Sequence, residues 1–191
     1  MLTLELMAHG THETEIKLRL PDVETARRIL RDGGFRVSKR RIFESNAVFD
    51  TPSQSLRKRA CLLRVREAGG AKLTYKGPPQ PSKHKSREEL ELDIPDAKTL
   101  STILERLGFR PIFRYEKYRT EFKQSKGSGV ATLDETPIGV FVELEGAPTW
   151  IDRTARKLGF RESDYITESY GGLYLGWCKE QKIKPTDMVF R

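Results

Sequence analysis

The sequence predicts an α+β fold whose eight strands close on themselves, with charged faces lining a water-filled interior and apolar faces turned outward under helices. Two observations predict it. The first is a parity pattern. From Glu13 to Leu20 the chain alternates, with Glu13, Glu15, Lys17 and Arg19 on one face of a strand and Thr14, Ile16, Leu18 and Leu20 on the other. The pattern recurs. Arg64 and Arg66 oppose Leu63 and Val65, and Lys72, Thr74 and Lys76 oppose Leu73 and Tyr75. Arg87, Glu89, Glu91 and Asp93 oppose Leu90, Leu92 and Ile94. Lys117, Arg119 and Glu121 oppose Tyr118 and Phe122, and Glu143 and Glu145 oppose Val142 and Leu144. With Asp134, these faces carry nine basic and nine acidic residues. One such face could simply be wet. Their recurrence, each with an apolar reverse, fits a closed structure with a charged lumen.

The second observation is an internal repeat. Residues 15–22 align without gaps on residues 89–96, at an offset of 74. The match continues through Thr25/Thr99, Ile29/Ile103, Leu30/Leu104, Gly34/Gly108, Phe35/Phe109 and Arg36/Arg110, so that 15–36 and 89–110 are two copies of one unit. Each copy reads as strand, Pro-Asp helix start, helix, then Gly-Phe. Lys157-Leu158-Gly159-Phe160-Arg161 is a weaker third copy of the ending.

Taken in order, the strands are predicted at 13–20, 36–49, 61–67, 72–76, 87–94, 112–122, 130–135 and 140–146. Helices are predicted at 22–33, 96–107, 149–158 and 165–181. Asp22 and Asp96 are placed to cap the first two helices. Gly34 and Gly108 suit the left-handed residue that ends a helix, with Phe35 and Phe109 packing back. Residues 67–71 and 126–129, rich in Gly and Ser, read as hairpin turns. Residues 77–86, with three Pro and the run Lys83-His84-Lys85, read as a mobile basic loop. Gly171 and Gly172 predict a bend in the last helix or a close approach to a strand.

Composition narrows the function classes. A chain of 191 residues is expected to form a single domain, 1–191, with a substantial core. Charged residues make up 32% and hydrophobic ones 37%, and no run approaches transmembrane length, so no membrane role is expected. The net charge of +8 favours an anionic partner. Cys61 and Cys178 lack metal-type spacing, which argues for a reducing cytoplasm and against structural zinc. Residues 1–12 have no basic start followed by an apolar core, so no secretory signal is expected. A Gly-x-x-x-x-Gly-Lys-Ser/Thr loop is absent from the sequence, which excludes P-loop chemistry on pattern.

A lumen carrying this many charges must stay wet, pair its charges, or bind something multiply charged, because dehydrating an unpaired ion costs several kcal/mol. Carboxylates grouped with Lys and Arg suit a metal–polyphosphate complex. Oxygen donors hold hard Mg²⁺ or Mn²⁺, Arg forks two phosphate oxygens, and Lys acts as a point charge. The alternative is ordinary cross-strand ion pairing, worth ~0.2–1 kcal/mol per pair.

The motifs resemble, in order and over almost the whole chain, those of the CYTH family, the triphosphate tunnel metalloenzymes. That family includes class IV adenylyl cyclases, thiamine triphosphatases and inorganic triphosphatases. Glu13, Glu15 and Lys17 are similar to its opening Glu-x-Glu-x-Lys. Phe49-Asp50-Thr51-Pro52 looks like its strand-end motif, Leu63-Arg64-Val65-Arg66 its Leu-Arg-x-Arg, and Lys76 its strand lysine. Arg87, Glu89 and Glu91 match its Arg-x-Glu-x-Glu, and Lys117 and Arg119 its Lys-x-Arg. Asp134, Glu143 and Glu145 match its late acidic strand pair. A lone Glu-x-Glu-x-Lys is common, whereas this ordered set with correct strand parity is specific.

The resemblance implies a closed eight-stranded antiparallel β-barrel, a tunnel, with helices packed outside. It implies that Glu13, Glu15, Asp134, Glu143 and Glu145 hold Mg²⁺ or Mn²⁺. Lys17, Arg64, Arg66, Lys76, Arg87, Lys117 and Arg119 form the triphosphate cradle, with Lys17 and Lys76 as catalytic cations and Glu89 and Glu91 in support. The partner implied is a small triphosphate: inorganic triphosphate, or a nucleoside or thiamine triphosphate. The expected activity is metal-dependent triphosphate hydrolysis. The rival within the family is cyclisation of ATP to cyclic AMP. Bacterial class IV cyclases often carry His-Phe six residues before the first glutamate, and here Met7-Ala8 occupies that place. His9 and His12 do not replace the pair. The segment Ile166-Thr-Glu-Ser169-Tyr170, by contrast, looks like the cyclase-like branch. A third possibility is a non-catalytic polyphosphate- or RNA-binding module, which the +8 charge permits but which gains nothing from grouped carboxylates. His9, His12 and His84 are given no catalytic role, Lys72 and Arg19 are read as rim or solvent-facing residues, and Trp150 and Trp177 as packing residues.

Overall fold

The computed structural model of the chain describes residues 11–191; Met7-Ala8, His9 and most of the expected signal-free segment lie outside them. The eight strands are β1 (Thr11–Leu20), β2 (Phe35–Asp50), β3 (Leu62–Glu67), β4 (Ala71–Lys76), β5 (Lys85–Ile94), β6 (Arg110–Gln124), β7 (Val130–Thr136) and β8 (Gly139–Glu145). They close into a barrel in the order β1-β5-β4-β3-β2-β6-β7-β8. Every neighbouring pair is antiparallel.

Parity does what the sequence implied. Ile16, Leu18, Leu133, Val142 and Leu144 turn outward and are buried beneath α1 (Val23–Asp32) and α4 (Pro148–Lys157). Ala26 and Leu30 of α1, and Trp150, Ile151 and Ala155 of α4, complete that layer. A second outer layer sets Ala97 and Leu104 of α3 (Ala97–Arg106) against Phe49 and Val65. The helix ends follow the repeat. Asp22 accepts from the Thr25 amide at 2.7 Å, and Asp96 accepts from the amides of Lys98 and Thr99. Gly34, Gly108 and Gly159 have φ of 85°, 92° and 92°, a left-handed backbone open to glycine at little cost.

Two expectations need correction. The predicted helix over 165–181 begins only at Tyr170: α5 spans Tyr170–Glu180, and the chain before it is a 3₁₀ turn (Glu162–Asp164) and an extended stretch. Nor does α5 lie outside the barrel. Phe113, Tyr115 and Phe141 share the strand faces of Lys117 and Glu143, so they point inward, and they pack with Tyr170 and Tyr174 of α5. The lumen thus has an apolar, aromatic end that α5 covers. Gly171 faces the Phe113 ring, where a Cβ would make an ordinary van der Waals contact at 3.4 Å.

The second correction concerns residues 77–86. They are not a free loop. Lys85 and Ser86 already belong to β5, His84 is buried, and Lys83 bonds Asp152 and Glu162. Earlier in the chain, an unpredicted short helix, α2 (Ser55–Lys58), follows the Phe49–Pro52 motif. Asp50 explains it: its carboxylate accepts from the amides of Thr51, Leu56 and Arg57, which fixes the turn.

Candidate active site

The barrel encloses a cavity of about 1500 Å³. Its wall carries Glu13, Glu15, Lys17, Arg64, Arg66, Lys76, Arg87, Glu89, Glu91, Lys117, Arg119, Glu143 and Glu145. Of the predicted site residues, Asp134 alone is absent from that wall, lying fully buried just behind it. The register explains the gathering. Glu15 on β1 stands opposite Lys85 of β5 on one side and Glu145 of β8 on the other. Glu13 faces Arg87, Lys17 faces Glu143, Lys76 faces Glu89, and Arg119 faces Asp134.

The charges form one long chain of ion pairs from Lys85 and Lys17 through Arg119 and Lys117 to Arg66, and a separate group around Lys76. Lys17 lies 3.1 Å from Glu15 and 3.2 Å from Glu143. Lys76 bridges Glu13 and Glu89. Arg119 clasps Asp134 through Nε at 2.7 Å and a terminal nitrogen at 2.6 Å, and also contacts Glu143. Asp134 further accepts from Lys117 at 2.8 Å and from the Tyr170 hydroxyl at 2.7 Å. Lys17 and Lys117 lie over the Tyr170 ring, at 5.3 and 5.0 Å. Lys72 and Arg19 sit where the sequence placed them: Lys72 at the rim, pairing with Glu91 and Asp93, and Arg19 exposed and stacked on Phe141.

Several participants escaped the sequence reading. Glu44 of β2 is buried opposite Lys117, 3.6 Å from its ammonium and 4.0 Å from Arg66. Lys85 is buried with its ammonium 3.1 Å from Glu15. Tyr115 accepts from Arg64 at 3.0 Å, and Thr74 bridges Arg64 to Glu91. The signal for Glu44 existed, since Glu44, Asn46 and Val48 alternate with Phe43, Ser45 and Ala47, but polar Ser45 on the reverse face blurs it.

The electrostatics divide the carboxylates into two groups. Burial opposes ionisation of Glu15, Glu143 and Glu44. The surrounding cations together outweigh it, Lys17 foremost for Glu15 and Glu143 and Lys117 foremost for Glu44, holding all three below the usual carboxylate range. Glu89 and Glu145 go the other way. Burial and the nearby Glu13 push Glu89 up to about 7 despite Lys76. Partial burial of its carboxyl, then Glu13 and Glu15, push Glu145 up to about 7, although that residue stands exposed at the rim, where water screens its neighbours. Among the cations, burial and then Lys17 and Arg87 lower Lys85 to about 8 against the pull of Glu15.

A divalent cation fits this donor set. Glu13, Glu15 and Glu145 project oxygens from two adjacent strands, and these carboxylates repel one another. Among the described residues no three metal-type side chains form a ready-made cage. Such a site suits an ion that keeps part of its water shell and takes one or two carboxylates plus phosphate oxygens, as Mg²⁺ does.

An eight-stranded antiparallel barrel with an ionisable lumen and an outer helical coat defines a class of charged-tunnel protein. The CYTH domain model matches residues 11–170, and the chain belongs to the CYTH family. A Methanocaldococcus jannaschii protein named "Putative adenylate cyclase" is 33% identical over 135 residues, covering 70% of this chain and 75% of that one. Among solved structures, the PH1819 protein of Pyrococcus horikoshii superimposes with a TM-score of 0.72 at 27% identity, covering 86% of this chain and 99% of its own. A Hippeastrum protein, a "Putative adenylyl cyclase" described as having a dominant triphosphatase activity, shares the fold. Its TM-score is 0.61 at 20% identity, covering 91% of this chain and 97% of its own. Among the described residues no helix is long and apolar enough to cross a membrane.

Proposed function

We propose that this chain hydrolyses a small triphosphate inside its barrel, with Mg²⁺ or Mn²⁺ as cofactor. One observation carries the reading. Arg64 and Arg87 are buried in the lumen wall, and the Nε of each finds no partner among the described residues, while the carboxylates of Glu13, Glu15 and Glu145 crowd one another on β1 and β8. A lattice built only for ion pairing would satisfy both. A polyanion with a divalent cation does so: the anion takes the idle guanidinium donors, and the cation relieves Glu13, Glu15 and Glu145.

In this reading Arg64, Arg66 and Arg87 fork the phosphate oxygens. Lys17, Lys76, Lys117 and Arg119 neutralise them, with Lys17 paired to Glu15 and Lys76 to Glu13. Glu13, Glu15 and Glu145 would hold the metal, which when bound supplies charge neutralisation on the bridging and terminal oxygens. Asp134 and Glu143 serve by holding Lys117, Arg119 and Lys17, because their oxygens are already spent on those cations. Glu89 and Glu91 orient Lys76 and Arg66. The closed wall aligns the phosphates so that water meets the terminal phosphorus in line and orthophosphate leaves. The Hippeastrum protein's triphosphatase activity agrees with this reading.

A second reading has support of its own. The M. jannaschii relative bears a cyclase name, and the stacked Phe113, Tyr115 and Tyr174 offer an aromatic surface at the α5 end of the same cavity. There the ribose 3′-hydroxyl would attack the α-phosphorus and expel pyrophosphate. A panel of inorganic triphosphate, ATP and thiamine triphosphate with Mg²⁺, Mn²⁺ or EDTA decides between them, read as orthophosphate, pyrophosphate and cyclic AMP. Orthophosphate from inorganic triphosphate supports hydrolysis. Cyclic AMP from ATP with inorganic triphosphate left intact replaces it with cyclisation.

A further inference from the structure

Outside the barrel, a group of polar side chains gathers around one buried histidine, with no part in the lumen ion pairs. His84 is 3% exposed, and its Nε2 lies 2.7 Å from Asp152 of α4. The same Asp152 oxygen accepts from the Tyr165 hydroxyl at 3.2 Å, and the other oxygen lies 2.9 Å from the Lys83 ammonium. The His84 and Tyr165 rings lie 6.0 Å apart, and Lys83 reaches on to Glu162 at 2.6 Å. The loop before β5, helix α4 and the turn before α5 thus meet on one carboxylate.

What they hold is the start of β5. Lys85 ↔ Glu15 is the terminal rung of the β1–β5 ladder, and the β4–β5 ladder begins only at Glu89. Lys85 and Arg87 therefore stand on a strand end whose second side is held only by the isolated Gln80–Ser86 bridge and the Gly77–Glu88 bond, both from the loop that carries His84, and a short ladder of this kind opens early. Past that rung β1 is met by Ile166, whose amide and carbonyl both bond Lys17 at 2.9 Å. Alternation along the strand sends His84 outward to α4 and Lys85 inward to Glu15.

We infer that the His84–Asp152–Tyr165 cluster is an external latch whose task is to fix Lys85 in the lumen as a further phosphate-binding cation. Lys85 touches the anion, and His84 and Asp152 are positioning residues acting through it. The inference rests on the triphosphate reading above. It accounts for a buried histidine at the end of a Pro- and Lys-rich connection, where packing alone needs no imidazole.

The test is a double-mutant cycle on Lys85→Ala and Asp152→Ala, with Mg²⁺-tripolyphosphate as the calorimetric probe. Hydrogen exchange of the 82–89 backbone without ligand is measured beside it. Each single change is expected to weaken binding about tenfold, the lower range for a charged hydrogen bond, and the double change no further. His84→Ala, an alternative should Asp152→Ala fail to fold, is expected to match it, and His84→Gln, which can still donate to Asp152, to restore binding to within about threefold. Exchange at 82–89 is expected to rise in Asp152→Ala and not in Lys85→Ala. An additive loss of about a hundredfold, or no loss in Lys85→Ala, overturns the inference. If the unaltered protein fails to bind tripolyphosphate, the triphosphate reading has failed instead. Exchange then decides the latch, with unchanged protection in Asp152→Ala overturning it.

Discussion

Replacing Asp134 by Asn separates the metal-holding role that the resemblance implies from the ion-pairing role that its contacts support. As a metal ligand, Asp134 would lose metal affinity on substitution and little else. The structure shows a carboxylate buried to 0% exposure, engaged by Arg119 twice and by Lys117 and Tyr170 once each. Breaking a buried pair from one side costs about 3–5 kcal/mol, because the abandoned cations remain in the dry wall. Lys117 retains Glu44 at 3.6 Å and Arg119 retains Glu143, so the lower end, about 3 kcal/mol, applies. For a chain of this length that corresponds to a fall in Tm of roughly 6–12 °C. Thermal unfolding followed by circular dichroism measures it, and calorimetric titration with Mn²⁺ supplies the second reading. The expected result is a much less stable protein whose Mn²⁺ affinity falls far less than in Glu13→Gln. A variant as stable as the parent but unable to bind Mn²⁺ would refute the structural role and return Asp134 to the metal.

The other predictions concern the lumen directly. Glu13→Gln should abolish metal-dependent turnover with the fold retained, whereas Glu15→Gln should also lower stability, since it strips a buried carboxylate from Lys17 and Lys85; equal unfolding midpoints for the two would count against that division. Arg87→Ala should weaken tripolyphosphate binding by roughly 1.5–3 kcal/mol, the scale of a charged hydrogen bond, and an unchanged isotherm would remove Arg87 from the cradle. Stability without metal should fall as pH rises from the ordinary carboxylate value toward about 7, because Glu89 and Glu145 bind protons more tightly folded than unfolded, and Mg²⁺ should restore it. A melting temperature that climbs steadily between pH 5 and 7.5 without metal would contradict that sign. Binding to single-stranded RNA should be weak; nanomolar affinity with a salt slope near −0.7 per phosphate contact, and no phosphate release, would favour a nucleic-acid module.

The barrel was legible because its geometry has period two, and so has the pattern of charge. Lys17, Arg64, Glu91 and Glu143 each announce an inward face by the apolar residues on either side. The helix ends were legible for a similar local reason, a capping Asp and a Gly that ends the helix. Residues 77–86 were misread because Pro, Ser and Lys signal a loop by composition, and what pins this loop is Asp152, far away in sequence. The place of α5 was hidden too. Phe113, Tyr115 and Phe141 share the parity of charged residues, and only the closed ring shows that they need a cover. Asp50 was legible only as part of a strand-end motif, and the backbone amides it anchors at α2 were not.

Most domains place their driving force for folding at the centre and their chemistry at the edge, and here the two have exchanged places. The greasy contacts lie mainly between the barrel and its helical coat, in separate patches such as that of Leu30 and Trp150 and that of Leu104 and Phe49. The cavity wall contributes ion pairs whose net worth is small. Natural variation can therefore rewrite the inside, exchanging one cation or carboxylate for another, while the outside keeps the chain folded. A container of this kind is free to change its cargo over evolutionary time without first having to relearn how to fold.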